Sequence, residues 1–333
     1  GDVLDLQRPM LPLTLPRPLP PEGSDAVPVA RTARRTVSRD WWVYSFTQLA
    51  NESSGAVEAA PRAVAEEGGA KDEPTPSVAD GDKRFSGSRF GNVLHGALER
   101  VDFAAWSDWP HTSPPDAELS HLRAALYAEG YAQDDIADGI DVLMPLIGNT
   151  LAVPLPEGTR LCDVPGEERL AEMEFHFALH STAVTDLLGL LHQYGIVPQR
   201  HAFGSRARLE GLMTGKIDLV YAHAGRFHVL DYKSNRLPGY DRGVLAEAMD
   251  DSEYTLQALL YALALHRWLR FRLGEAYDYD THFGGIRYLF CRGLDANDPD
   301  SPGVHAWQPP RELIERLDAL FAHGVLEPME AMA

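Results

Sequence analysis

Two apolar segments joined by a short turn constrain this chain more than any other part of its sequence. Residues 212–222 (LMTGKIDLVYA) and 226–234 (RFHVLDYKS) are rich in β-branched and aromatic residues, which favour strands. The intervening turn, HAGR, contains Gly225, whose backbone freedom suits a tight reversal of direction. The pattern therefore predicts an antiparallel hairpin that any fold of this chain must accommodate.

Charged residues interrupt both strands of the predicted hairpin. Asp218 lies inside the first strand, and Asp231 and Lys233 lie at the end of the second. Because side chains alternate along a strand, Asp231 and Lys233 share one face, while Tyr232 points away and its carbonyl lies between them. Pairing of the two strands would bring Asp218 close to Asp231.

Two partly buried carboxylates repel each other and are costly to desolvate, and a divalent cation removes both problems. Magnesium prefers carboxylates, a carbonyl oxygen and water. A neighbouring lysine can orient or help to deprotonate a water and can stabilise negative charge, which is what hydrolysis of a phosphodiester requires. The alternative is that Asp231 and Lys233 form a surface ion pair worth less than about 1 kcal/mol.

The rest of the chain predicts a linker followed by a folded domain. Residues 1–40 begin with a proline-rich stretch, typical of an extended linker, and residues 41–333 form the predicted domain. Within that domain, residues 51–88 have almost no large apolar side chain and are predicted to be a disordered insertion. Trp41, Val43 and Tyr44 favour a strand, and Ser45 could cap a short helix.

Hydrophobic periodicity predicts the remaining elements. Strands are expected at 171–180, with Met173, Phe175, Phe177 and Leu179 on one buried face, and at 283–291 as the last strand. Helices are expected over RFGNVLHGALERV, between residues 116 and 150 (two or three), over TAVTDLLGLLHQYG, and at about 252–272 and 310–323. The fold class is α/β or α+β, with a small mixed sheet flanked by helices.

Charge and composition indicate what the protein could bind and in which cell compartment it is expected. The net charge is −19, but residues 200–272 carry 11 Lys and Arg against 8 Asp and Glu. Three arginines, Arg267, Arg270 and Arg272, end the predicted 252–272 helix and could contact phosphates or complement the helix dipole. The chain lacks a signal peptide and a long apolar run, which predicts a cytoplasmic protein. It also lacks an initiator Met, which predicts a fragment or a processed chain.

Other catalytic and cofactor motifs are weak. Gly211, Gly215 and Lys216 have the wrong spacing for a phosphate-binding loop, so no ATP site is expected in these residues. His176 and His180 lack the glutamate of a zinc-protease motif. The two cysteines, Cys162 and Cys291, are too few for an iron–sulfur cluster or a four-thiolate zinc site.

The order of the motifs resembles the RecB-type nuclease family, with its PD-(D/E)XK signature and restriction-endonuclease-like core. GNVLHGALE, EMEF, GKIDLV, LDYKS and a helix with Gln257 and Tyr261 follow one another as in that family, and FGGIRYLFCRG extends the match. The resemblance covers residues 40–333 and is strongest over 205–293. It implies a metal-dependent deoxyribonuclease.

The resemblance also implies a role for individual residues. His95, Asp218, Asp231 and the Tyr232 carbonyl match the Mg²⁺ ligands, and Lys233 matches the catalytic lysine. Glu172 matches an acidic residue that assists the metal or supports the site, with Glu174 as the alternative on the same strand face. Gln257 and Tyr261, four residues apart on one helix face, would meet the DNA backbone or the active site.

By the same resemblance, the chain is expected to cleave mainly single-stranded DNA at ends, within an exodeoxyribonuclease V type helicase–nuclease that resects double-strand breaks for recombinational repair. Its implied partners are a RecB-type helicase part missing from this chain, and RecC-like and RecD-like subunits. Two alternatives stay open: a docking or regulatory module with a gated or inactive nuclease site, and an AddA-like nuclease.

Overall fold

A computed structural model of the 333-residue chain describes residues 42–51 and 83–325. The strands are β1 (Trp42–Tyr44), β2 (Arg169–Ala183), β3 (Arg208–His223), β4 (Arg226–Lys233), β5 (Phe283–Phe290) and β6 (Val304–Trp307). The helices are α1 (Phe46–Asn51), α2 (Gly87–Arg100), α3 (Leu119–Ala128), α4 (Ile136–Ala152), α5 (Val184–Gln193), α6 (Arg242–Asp251), α7 (Tyr254–Leu273), α8 (Tyr279–His282) and α9 (Arg311–His323).

The strands form one mixed sheet built around β3. Antiparallel β2 pairs with β3 from Arg169 to Ala183, whereas parallel β1 and antiparallel β4 share the other edge of β3. Strand β5 then adds in parallel to β4, and β6 adds antiparallel to β5. Because β1 pairs with residues 211–213 and β4 with residues 219–223, a gap remains on that edge of β3 at residues 214–218.

Two hydrophobic cores cover the opposite faces of the sheet. The first contains the buried side chains of α5, α7 and α9 together with Met173, Phe175, Phe177 and Leu179 of β2. The second contains those of α2, α3 and α4. This arrangement of helices on both faces of a mixed sheet confirms the predicted fold class.

The central hairpin is confirmed. Strands β3 and β4 pair in register from Leu219–Leu230 to His223–Arg226. Both turn residues, Ala224 and Gly225, have positive φ, 49° and 79°. Such a two-residue turn matches the right-handed twist of the flanking strands. Ser45 also caps α1 as expected, because its Oγ accepts a hydrogen bond from the Gln48 N–H at 3.3 Å.

Two predictions about the elements are wrong. The 283–291 strand is not the last strand, because β6 follows it and pairs with it. The disordered insertion does not extend to residue 88, because Phe85 is fully buried and stacks on Tyr131. Phe85 and the ion pairs of Arg84 with Asp135 and Asp138 anchor this segment despite its polar composition. At the other end of the predicted insertion, Asn51 belongs to α1. Residues 52–82 of the predicted insertion, the predicted linker and Trp41 lie outside the described residues.

Helix α6 was not predicted, since only Leu245 and Met249 of its ten residues are buried, too few for a clear periodic signal. Within the two described ranges, no helix is both long enough and apolar enough to cross a membrane.

Candidate active site

The acidic residues of the hairpin meet at the gap on the edge of β3. Asp218 lies one residue beyond the last registered pair, Leu219–Leu230, and the same register places it opposite Asp231. The backbone pairing of β3 with β4 stops there, because the Asp218 side chain takes the place of a backbone acceptor. Its Oδ2 accepts a hydrogen bond from the Tyr232 N–H at 2.8 Å. The structure thus brings together the two carboxylates that sequence spacing only suggested.

Asp231 and Lys233 share one face of β4, while Tyr232 points into the second core between the sheet and α2–α4. Lys233 Nζ lies 2.6 Å from Asp231 Oδ2. Asp231 is only 2% exposed, so this is a buried ion pair and not the surface pair that was the alternative. A buried pair is weak evidence for stability, because the desolvation of both charges offsets their attraction.

Aromatic rings and one glutamine hold Lys233 in place. Its Nζ lies 4.2 Å from the centre of the Tyr254 ring and 5.2 Å from that of Tyr288. It also donates a hydrogen bond to Gln257 Oε1 at 3.2 Å, and that oxygen accepts a second one from the Tyr288 hydroxyl at 2.8 Å. Gln257 Nε2 donates in turn to the Tyr261 hydroxyl at 3.1 Å. Gln257 and Tyr261 are both buried behind Lys233.

Helix α2 brings His95 to the same place. His95 Nδ1 lies 3.4 Å from Asp218 Oδ1. One turn earlier, Gly91 faces Ser234, and a Cβ at Gly91 would come within 3.2 Å of the Ser234 Oγ, so a small residue allows the helix to approach β4. Burial disfavours the charged imidazolium, but the Asp218 carboxylate outweighs burial and raises the pKa of His95.

Glu172 completes a row of carboxylates across three strands. It lies between the registered pairs Ala171–Leu219 and Met173–Ile217, which places it opposite Asp218. Its backbone is left-handed, with φ 54°, a strained conformation for glutamate that is common at functional sites. Glu174 is exposed and lies two positions farther along, opposite Lys216. The register therefore puts Glu172, and not Glu174, next to Asp218.

Sequence reasoning missed Lys216, which forms an ion pair with Glu172. A signal for it was present, because Lys216 precedes Asp218 by two residues in a strand and alternation predicts a shared face. Tyr254 and Tyr288 were also missed. They come from α7 and β5, and only the tertiary structure shows that they surround Lys233.

The pKa values of the buried groups show how the charges interact. Burial and the neighbouring Asp218 raise the pKa of Asp231 to about 6, despite the attraction of Lys233. Burial would also raise the pKa of Asp218, but His95 and Lys233 outweigh it and lower this pKa. For Lys233, Asp231 overcomes burial and raises the pKa to about 12. Lys233 is therefore protonated at neutral pH and suited to stabilising negative charge.

The donor types fit a divalent cation. Two carboxylates, an imidazole and a backbone carbonyl lie around the gap, and Asp231 Oδ2 is buried without a well-aligned hydrogen bond from the described residues. In residues 42–51 and 83–325, however, no three His, Cys, Asp or Glu side chains converge as a preformed metal cluster. Asp231, Asp218 and Glu172 instead face Lys233, His95 and Lys216, respectively.

Comparison with known proteins shows the family of the chain. The sequence pattern of the PD-(D/E)XK nuclease superfamily matches residues 65–327. The RecBCD enzyme subunit RecB of Escherichia coli K12 is 32% identical over 308 residues, which cover 90% of this chain and 24% of that protein. The RecB subunit of Mycolicibacterium smegmatis is 30% identical over an alignment 345 positions long, which covers 91% of this chain and 31% of that protein.

A third relative, the RecB subunit of Haemophilus influenzae, is 32% identical over 245 residues, covering 71% of this chain and 18% of its own length. The chain thus spans less than a third of the length of these three curated relatives.

Proposed function

Because the chain belongs to the PD-(D/E)XK nuclease superfamily, we propose that it hydrolyses phosphodiester bonds of DNA, mainly single-stranded DNA, with Mg²⁺ as its cofactor. One observation carries the proposal: Glu172, Asp218 and Asp231 form a row on three adjacent strands, with the protonated Lys233 beside the last of them. Carboxylates that hold a cation next to a fixed ammonium group suit the attack of water on a phosphate.

In this proposal, His95, Asp218, Asp231 and the Tyr232 carbonyl hold the cation. When bound, Mg²⁺ supplies Lewis-acid polarisation of the phosphate. Burial is the main cause of the raised pKa of Asp231, and the Asp218 carboxylate adds to it; a bound cation would relieve this repulsion between the two aspartates. Glu172 faces the same space from β2 and assists through water or by holding Lys216.

Lys233 orients the attacking water and stabilises the negative charge that develops on the phosphate oxygens. Its position is preorganised, since Gln257 accepts its hydrogen bond and Tyr254 and Tyr288 flank its ammonium group. Tyr261 keeps the Gln257 amide from rotating by accepting a hydrogen bond from its Nε2. These four side chains act on the substrate only through Lys233.

The relatives named RecBCD enzyme subunit RecB support a cellular role within a larger assembly. We infer that the chain works as the nuclease part of an exodeoxyribonuclease V type enzyme in the cytoplasm. Its partners would be a RecB-type helicase part and RecC-like and RecD-like subunits, and its role the resection of double-strand breaks for recombinational repair.

A second candidate is a docking or regulatory module whose nuclease site is gated. One observation favours it: each carboxylate of the row faces a cationic or imidazole side chain of the chain itself, so ligand binding requires those contacts to loosen. The two candidates differ in whether the chain alone cleaves DNA.

The test is digestion of labelled single-stranded DNA with Mg²⁺ by the wild type, by Lys233→Ala and by Lys83→Ala. Lys83 is an exposed lysine outside the site and serves as the matched control. We expect Lys233→Ala to lower the cleavage rate by a factor of about 10² to 10³ or more, as removal of an electrostatic stabiliser does. Lys83→Ala should cleave like the wild type, and a chelator should abolish cleavage.

Other outcomes separate the candidates. A wild type that binds Mg²⁺ by calorimetry but does not cleave would favour the gated module. A wild type that neither binds Mg²⁺ nor cleaves would overturn the catalytic proposal.

A further inference from the structure

Helix α7 links the candidate active site to the far end of the sheet. Near its beginning, Gln257 accepts the hydrogen bond from Lys233 at the end of β4. Near its other end, the Trp268 ring lies 6.3 Å from that of Phe227, at the start of β4. Helix and strand therefore run antiparallel. The rise of an α-helix places Phe271 about 21 Å along the axis from Gln257.

The last two turns of α7 are cationic and aromatic. The helix carries Arg267, Arg270 and Arg272 and no acidic residue, in a chain of net charge −19. Phe271 lies between two of these arginines and is 84% exposed, more than any other large hydrophobic residue of the described chain. Trp268, Arg270, Phe271 and Arg272 are named the α7 patch here.

The helix dipole does not account for this patch. Basic residues at a C-terminus are favourable near the last carbonyls. Yet the Arg272 guanidinium lies over the Trp268 ring, 5.5 Å from its centre. The dipole also gives no reason for an aromatic side chain in water, because Phe271 carries no charge. The combination therefore points to a ligand that offers both negative charge and a flat apolar face.

A cationic groove adjoins the patch. It is open, has a volume of about 340 Å³, and is lined by Ala178, His180, Arg267, Arg270, Asp318 and Ala322. Arg267 Nε and Arg270 Nη1 lie 2.5 and 2.7 Å from the two carboxylate oxygens of Asp318. Two guanidinium groups thus share one carboxylate, so the groove keeps a net positive charge.

We propose that the α7 patch and this groove bind single-stranded DNA, with a base stacked on Phe271 and phosphates beside Arg270 and Arg272. An exposed ring next to cations is the combination that binds unpaired nucleotides, because each base offers a π-face and each phosphate a charge. In duplex DNA the bases are already stacked on one another, so the patch favours single strands. The inference rests on the proposed function, since it concerns the strand that is cleaved.

The test measures binding without cleavage. A fluorescein-labelled 20-nucleotide oligothymidylate is titrated with the protein in a chelator, and its anisotropy is followed at several salt concentrations. We expect Phe271→Ala to weaken binding by roughly 5- to 100-fold, as the loss of one stacked base does. Arg272→Ala should weaken it too and lower the slope of log affinity against log salt by about 0.7, one phosphate contact.

Matched controls lie on α3. Tyr127 is an exposed aromatic residue and Arg123 an exposed arginine, so Tyr127→Ala and Arg123→Ala remove an aromatic ring and a guanidinium group from another surface. Both controls should bind the oligonucleotide like the wild type. A 20-base-pair duplex should bind less tightly and should not respond to Phe271→Ala.

The outcomes separate this inference from the proposed function. Unchanged affinity and salt slope in Phe271→Ala and Arg272→Ala would overturn the inference and leave the α7 patch to a protein partner, whatever the cleavage assay shows. Weaker binding by these two variants, with normal binding by Tyr127→Ala and Arg123→Ala, would support it even if the chain alone did not cleave DNA.

Discussion

Two buried polar clusters share strands β3 and β4 and differ in their charge balance. The Glu157 cluster consists of Glu157, Tyr221 of β3, His228 of β4 and Arg287 of β5. Arg287 Nε donates to Glu157 Oε2 at 3.0 Å, and the Tyr221 hydroxyl donates to the other carboxylate oxygen. Burial favours protonation, but Arg287 and Tyr221 outweigh it and lower the pKa of Glu157.

In the candidate active site, the pKa of a buried acid shifts in the opposite direction. There, burial and a second carboxylate raise the pKa of Asp231 to about 6, although Lys233 lies beside it. The Glu157 cluster has one acid for one guanidinium and anchors the loop after α4 to the sheet. At the site, three acids lie on neighbouring strands, and the Asp218 carboxylate acts on the buried Asp231. A carboxylate with a raised pKa in such a place is a mark of function.

The largest expected effect is in the Glu157 cluster. Arg287→Met leaves Glu157 buried without its cation, and we expect it to lower the free energy of unfolding by about 3–5 kcal/mol. Urea denaturation at pH 7 measures this loss. Arg226→Met, at an exposed arginine of the same sheet, is the control and should change stability by less than about 0.5 kcal/mol.

The double variant Arg287→Met/Glu157→Gln should recover much of the loss. Lys233→Met should cost less than Arg287→Met, because Asp231 takes up a proton more readily than Glu157. Equal losses from the two variants would break the comparison between the clusters.

Acidification is expected to lower the free energy of unfolding by a smaller amount, through protonation of His228. Burial lowers the pKa of His228 to about 4 from its usual 6.5. The unfolded chain therefore binds this proton more readily. The stability that the neutral ring contributes is fully present above pH 6.5 and falls by about 3 kcal/mol as the pH drops to 4.

His228→Phe keeps a ring that can stack on Tyr221 and removes the titrating group. We expect the wild type to lose about 3 kcal/mol more than this variant between pH 7 and pH 4 in urea denaturation. Parallel curves for the two proteins would show that another group causes the acid sensitivity.

The smallest expected effect is the stabilisation of the folded chain by Mg²⁺ at the candidate active site. Mg²⁺ at 100 times its dissociation constant should raise the free energy of unfolding of the wild type by about 2.7 kcal/mol, because only the folded chain binds it. Asp231→Asn should lose this increment, and Arg287→Met should keep it despite its lower stability. Thermal denaturation with and without Mg²⁺ measures the difference. An increment of equal size in Asp231→Asn would place the cation elsewhere.

Much of the fold could be predicted because its signals are local. The alternation of Met173, Phe175, Phe177 and Leu179 predicted the buried face of β2, and the apolar runs around Gly225 predicted the hairpin. Strand β6 was missed, since its four residues are only partly buried or exposed and carry no apolar pattern. Phe85 was missed because a single aromatic residue in a polar stretch does not show that it packs into a core formed by distant residues.

The sequence predicted which residues form the candidate site but not which of them lie next to one another. Motif order pointed to His95, Asp218, Asp231 and Lys233, and the structure brings all four together. The register of β2 on β3 is needed to see that Glu172 faces Asp218. Alternation along β2 alone cannot distinguish it from Glu174, since both lie on one face.

The sequence by itself determined most of the strands and helices and the chemical groups at the site, because periodicity and residue type act over a few neighbouring positions. Only the tertiary structure decided which groups compensate one another. Asp231 and Glu157 are both acids in a buried environment, yet the pKa of one is raised and that of the other lowered. Coulombic interactions depend on distances between residues remote in the chain, and those distances exist only after folding.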